Sequence, residues 1–203
     1  MRPESELRNV LLGLALTSVH GPWSRAIKSE YLQEDPQPLW AGGSVGYGAR
    51  FVPKGGFGSV HLASDPFTAF LEVESVFLAA AGRVVWDTNP PWTWVTVEGI
   101  VERVLNLTDP RLWEPLDTTE SELTGNWRNG QDRHLRGEGP LPPTQTLGKI
   151  AYETGKVSGI QYPSAKNTGK GVNLVVFPDR LHRGGASHLR VYDPTRFLDQ
   201  RIP

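Results

Sequence analysis

The stretch Trp40–Gly82 reads WAGGSVGYGARFVPKGGFGSVHLASDPFTAFLEVESVFLAAAG. A glycine-rich segment carrying Arg50 is followed by a second glycine cluster at Gly55, Gly56 and Gly58. Ser59–Ala63 then has the pattern of a short strand. Asp65 is placed to cap a helix and Pro66 sits where the first helical N–H needs no partner. The spacing predicts a helix from Pro66 to Ala81 with Gly82 as its left-handed stop. Loop, strand and helix thereby bring Arg50, His61 and Glu72 towards one place. A cation, an imidazole and a carboxylate beside glycine loops suit an anionic small molecule. The two standard phosphate loops are absent: Gly43, Gly46 and Gly48 do not give the dinucleotide fingerprint, and no G-x-x-x-x-G-K-[ST] occurs.

On a helical wheel, Phe67, Phe70, Leu71, Phe77 and Leu78 share one face, with Glu74 in its middle. Glu72 falls opposite, near Thr68, Ser75 and Ala79. Small side chains around a carboxylate leave room for a ligand. The wheel alone does not choose between Glu72 and Glu74.

Outward from this stretch, 203 residues suffice for one domain with a substantial core. With 21 basic and 22 acidic residues there is no electrostatic footprint for nucleic acid or a membrane surface. The absence of cysteine excludes disulfides, thiolate catalysis and cysteine-ligated zinc, and fits a reducing compartment. None of the five histidines forms an H-x-x-x-H pair, so no metal site is expected. Seven tryptophans are enough to fill a core and still line a pocket.

Residues 1–20 read as a partly buried N-terminal helix, not a signal peptide, because Glu4 and Glu6 offset Arg2 and Arg8. Strands are expected at 23–27, 84–86, 158–162, 172–177 and 189–192. Residues 92–107 read as two strands broken near Gly99. Residues 112–127 read as helical pieces capped at Thr119 or Ser121, and 144–153 as a helix. Asn89-Pro90-Pro91 reads as a turn, and residues 128–143 as a long loop. The whole reads as a single α+β domain over 1–203, with central β-sheets flanked by helices.

Several stretches, in order, resemble the RES-domain family, the toxins of RES–Xre toxin–antitoxin pairs, named for an arginine, a glutamate and a serine. The family's Y-R-x pattern is similar to Trp23-Ser24-Arg25-Ala26, and its G-G-R pattern to Tyr47-Gly48-Ala49-Arg50-Phe51. Its Y-L-A…A-L-x-E pattern is similar to His61-Leu62-Ala63 followed by Ala69-Phe70-Leu71-Glu72. Leu105–Pro110, Thr144–Gly148, Pro163-Ser164-Ala165 and Asn173–Phe177 match further motifs, so the pattern covers 23–180. The departures are His61 for a usual tyrosine and Ala49 for a common glycine.

The resemblance implies an ADP-ribosyltransferase-like fold and cleavage of NAD, as substrate, at the nicotinamide–ribose bond, and it selects Glu72 over Glu74. No separate cofactor is expected. Glu72 would stabilise developing oxocarbenium charge. Arg50, and secondarily Arg25, would hold the pyrophosphate. Ser164 would position the ribose or the nicotinamide amide. His61 would stack on nicotinamide, with Tyr47 or Phe51 as the alternative aromatic. Activity would then fall as pH drops through the His61 titration, about 6.5 if unperturbed, with Glu72 acting to raise that value and Arg25 and Arg50 to lower it. The acceptor stays open between phosphate, water and a protein target, and His61 keeps a second reading open, an inactive NAD-binding or protein-binding module. The resemblance also implies a cytoplasmic protein, an Xre-like antitoxin partner, and assembly as a homodimer or toxin–antitoxin hetero-oligomer.

Overall fold

The structure, a computed structural model, describes residues 1–32, 37–78, 84–87, 91–181, 185–195, 197–198 and 200–203. In chain order the elements begin with α1 (Glu4–Gly13), β1 (Thr17–His20), β2 (Trp23–Lys28), α2 (Gly43–Tyr47), β3 (Val60–Ala63) and α3 (Pro66–Glu72). The hairpin β4 (Val76–Leu78) and β5 (Val84–Trp86) precedes the fifteen-residue β6 (Trp92–Asn106). Then come α4 (Trp113–Leu116), α5 (Glu120–Thr124), α6 (Trp127–Leu135), α7 (Pro143–Glu153), β7 (Gly159–Pro163), β8 (Val172–Val176), α8 (Pro178–Leu181), β9 (His188–Val191) and β10 (Arg201–Ile202).

The sheet is hung on β6. Along one side β2 pairs antiparallel from Trp23↔Val97 to Lys28↔Trp92, and β1 continues to Thr17↔Val104. Along the other side β9 is antiparallel at 97–100 and β7 is parallel at Val104↔Gly159. From β2 the pairing runs through β3 and β8 to β7, which returns to β6, so these five strands close a ring. Closure removes open strand edges. A single mixed domain with a central mixed sheet flanked by helices results.

Three apolar clusters among the described residues hold it, the smallest being Phe70, Leu71 and Val76. One packs Leu7 and Leu11 of α1 with Leu147, Ile150 and Ala151 of α7, Phe51 and Phe177. Another joins Trp23, Ile27, Val60, Leu62, Val97 and Leu174 inside the sheet. Alternation in β3 buries Val60 and Leu62 and turns half-buried His61 to the opposite face.

Four expectations are corrected. The N-terminal helix stops at Gly13, where Lys156 Nζ donates to Leu12 O at 2.7 Å and Leu14 O at 2.8 Å, and the β-branched Thr17–His20 run joins the sheet. Gly99 does not break β6: at φ 152 it continues the strand against β9, where a Cβ would stand 2.0 Å from His188 O. Residues 128–143 are not one long loop, because Asn126 caps α6 through a side-chain bond to Asn129 N. The helix begun at Pro66 ends at Glu72, not Ala81. Ser75 N donates to Phe70 O at 3.2 Å and Glu74 N to Leu71 O at 3.1 Å, a Schellman motif with Glu74 at φ 59 where glycine is usual. The wheel therefore fails beyond Glu72: Phe77 and Leu78 belong to a strand. Ala79, Gly82, Asn89 and Pro90 lie outside the described residues.

Candidate functional site

The site begins with α3. The Asp65 carboxylate accepts from Thr68 N at 2.8 Å, Pro66 occupies the first turn, and Thr68 to Leu71 are buried. Burying Phe70 and Leu71 contributes about 1.5–3 kcal/mol each, which seats the helix and fixes its last residue, Glu72. Glu72 Oε1 accepts from Ser164 Oγ at 2.6 Å and from Asn173 Nδ2 at 2.7 Å. Among the described residues no group bonds Oε2. Two donors on one oxygen fix the carboxylate and leave its other oxygen for a ligand.

Glu72 lines a cavity of about 610 Å³, within the range of small-molecule sites. Arg25, Tyr47, Arg50 and His61 line the same cavity. Five cationic side chains, Arg25, Lys28, Arg50, Arg128 and Lys166, face two carboxylates, Glu72 and Asp132, across it. Trp40, Trp92 and Trp127 supply flat apolar wall.

Arg25, on β2, donates from Nη2 to Trp40 O at 2.9 Å. Its Nε and Nη1 are buried without a partner among the described residues, and burial lowers its pKa to about 10. Arg50 is 9% exposed, with Nη1 bonded to Leu123 O at 2.9 Å and Gly125 O at 2.7 Å. Burial lowers its pKa, opposed by Tyr162 and by the charge of Glu72. Part of its guanidinium therefore anchors the loop.

Ser164 is 1% exposed and sits behind the acid, not on the cavity wall. Its Oγ also accepts from Lys166 N at 3.2 Å and Asn167 N at 2.9 Å. Tyr47 is 81% exposed at the cavity lip. Phe51 is fully buried edge-on to Tyr162, 4.7 Å between centroids, so it is excluded as a stacking surface. His61 Nε2 lies 2.8 Å from Ser59 Oγ. Burial, and then the charge of Arg25, lower its pKa to about 4, so of the opposing shifts open from sequence the lowering one prevails.

Glu74 stands outside the cavity at the rim, where Oε1 accepts from Arg128 Nη1 and Lys166 Nζ, both at 3.2 Å. Asn173, Tyr162, Trp127, Arg128 and Gln131 were not singled out in the sequence. Asn173 carried a signal: an amide inside an apolar strand needs a buried partner. Among the described residues no group of three His, Asp or Glu side chains could hold a metal ion, and no helix is long and apolar enough to cross a membrane.

A second cavity, about 570 Å³, lies between Trp94, Tyr192 and Phe197. Its carboxylate, Asp193, is bonded into its own turn by Thr195 and Leu198.

A family model described as RES domain matches residues 22–198. Among solved structures, the chain is similar to one from the crystal structure of the M. tuberculosis MbcT–MbcA toxin–antitoxin complex. The TM-score is 0.65 at 20% identity, over 95% of this chain and 94% of that one. At that identity the likeness shows the fold. No curated protein matches.

Proposed function

The chain belongs to the RES-domain family, and from that premise we propose that it is an NAD-cleaving toxin acting in the cytoplasm and neutralised by an Xre-like antitoxin. The observation that carries this reading is a shared wall. Glu72, fixed by Ser164 and Asn173, lines one cavity with Arg25, which keeps two buried donors unpaired.

An unpaired guanidinium edge out of water is costly, and an anion restores its bonds. The cationic excess around it suits a pyrophosphate. Nicotinamide in NAD is a cationic leaving group. When its bond to ribose C1 breaks, the electron pair leaves with the ring as neutral nicotinamide, so no strong general acid is needed. Positive charge develops on the ribose. Glu72 Oε2 would stabilise it through a ribose hydroxyl or directly, a preorganised electrostatic effect. The acceptor oxygen, from water or phosphate, bonds C1 and releases its proton to solvent.

His61, held neutral, adds no cation against the nicotinamide ring, which favours an active enzyme over an inactive binding module. A protein acceptor would make the chain an ADP-ribosyltransferase, and the open lip at Tyr47 leaves room for one.

The test incubates the purified protein with NAD, with and without phosphate, beside Glu72→Gln. The reading expects free nicotinamide from the parent and at least a hundredfold less from the variant, roughly the size of other lost transition-state contacts. Equal nicotinamide release from both proteins would sink the assignment.

A further inference from the structure

Helix α6 forms cavity wall, yet one of its residues there has no free polar end. Gln131 is 7% exposed. Its Nε2 donates to Tyr47 O at 3.1 Å, and its Oε1 accepts from Gln145 Nε2 at 2.8 Å. Gln145, fully buried on α7, also donates to Ala49 O at 2.9 Å and Val52 O at 3.2 Å. Two amides thus serve the carbonyls of residues 47, 49 and 52, which bracket Arg50.

The segment they hold is a tight turn closed by Ala49 N to Val52 O at 2.7 Å and Val52 N to Ala49 O at 3.1 Å. It joins two cavity-lining side chains, Tyr47 and Arg50. Gly48 marks the closest approach: at φ 75, a Cβ there would stand 2.0 Å from Gln131 Oε1. Glycine is therefore required twice over, for the left-handed backbone and for the contact.

The brace carries a cost. Gln145 Oε1 is buried without a partner among the described residues. An apolar side chain of similar length would avoid that orphan, but Gln131 Oε1 would lose its donor and the carbonyls of Ala49 and Val52 would keep only their turn bonds. The amide pair ties the lip to two helices instead of leaving it to its own turn.

We propose that Gln131, backed by Gln145, is the positioning residue of this cavity: it locks the Tyr47–Arg50 lip onto α6 and so sets substrate affinity, leaving bond cleavage to Glu72. The inference rests on the NAD-cleaving reading and deepens it.

The experiment compares the full chain with Gln131→Ala and Gln131→Met, the second keeping length and packing if the first folds poorly. Amide hydrogen exchange over residues 47–52 and NAD turnover resolved into KM and kcat are both measured. Exchange should quicken in that segment, and KM should rise about tenfold, roughly the cost of one part-buried carbonyl left without its donor. The kcat should stay within about twofold, because uniform binding is what is lost. Gly48→Ala should damage the parent more than the Gln131→Ala background, where the obstructing amide is gone. Unchanged exchange at 47–52, or an unchanged KM in a protein that turns NAD over, overturns the proposal. If the parent does not cleave NAD, the parent reading falls by itself. The exchange measurement still decides the brace: quickening confined to 47–52 supports it, and none overturns it.

Discussion

Ser164 Oγ donates to Glu72 Oε1 at 2.6 Å across 92 positions of chain. The hydroxyl is in turn fixed by Lys166 N and Asn167 N. Serine therefore acts on the acid from behind, as its orienting group. Ser164→Ala is expected to lower kcat about tenfold to a hundredfold with a smaller change in KM, since a loosened carboxylate costs mainly in the transition state. It should also lower stability by about 1–3 kcal/mol, because two part-buried backbone donors lose their acceptor. A stopped nicotinamide-release assay and urea unfolding measure the two effects. A kcat equal to the parent's would remove Ser164 from the site.

Glu74 is the control acid. It takes two cations at the rim with its side chain 45% exposed, and pairs of that kind contribute ~0–1 kcal/mol. The hydrogen bond from Lys166 leads the causes that lower its pKa. That small contribution is present above the ordinary glutamate range and lost as pH falls through the folded value. Glu74→Ala should keep the fold and keep NAD turnover within about threefold. Loss of turnover in a folded Glu74→Ala protein would mean that the acid has been misassigned.

The partner is tested in cells. The cationic lip from Trp40 to Gly58 with Arg25 and Arg50 behind it fits a protein that covers the mouth and points an anionic end inward. Expression of the chain alone should deplete NAD and stop growth, and an Xre-like protein encoded beside it should restore growth. Failure of every neighbouring gene to protect would count against the pairing.

How far the sequence could be read follows from where the information lay. Arg50, His61 and Glu72 come from local loop, strand and helix signals within one stretch, Arg25 and Tyr47 from the resemblance, and all five line one cavity. Glu72 was separable from Glu74 only by resemblance, because a wheel assumes that the helix continues. The stop after Glu72 is a backbone event without a glycine, at a residue forced to φ 59. The α6 wall was illegible for another reason. Gln131 is its one buried residue, so the helix is held by amide bonds, which leave no apolar period to detect. The Ser164 and Asn173 contacts with Glu72 span 92 and 101 positions, beyond any local pattern.

The last prediction concerns His61. Arg25 on β2 supplies the charge that acts against its protonation, Ser59 bonds its Nε2, and Lys28, Arg50 and Glu72 share the cavity wall. With a folded pKa of about 4 against an ordinary 6.5, the unfolded chain takes up the proton first as pH falls. Stability from neutral His61 is therefore full above about 6.5 and is lost progressively down to about 4. Turnover should show no acid limb from His61 until the pH approaches 4. His61→Tyr should keep activity and lose less stability than the parent between pH 6.5 and 4, since a tyrosine takes up no proton there. His61→Ala should raise KM by removing a flat surface from the wall. The measurements are turnover and urea midpoints for the three proteins across that range. A parent limb centred near 6.5 that vanishes in His61→Tyr would show that the imidazole is solvated and unshifted. An alanine variant with the parent's KM would leave stacking to Tyr47 or to a cavity tryptophan, with His61 serving only the strand.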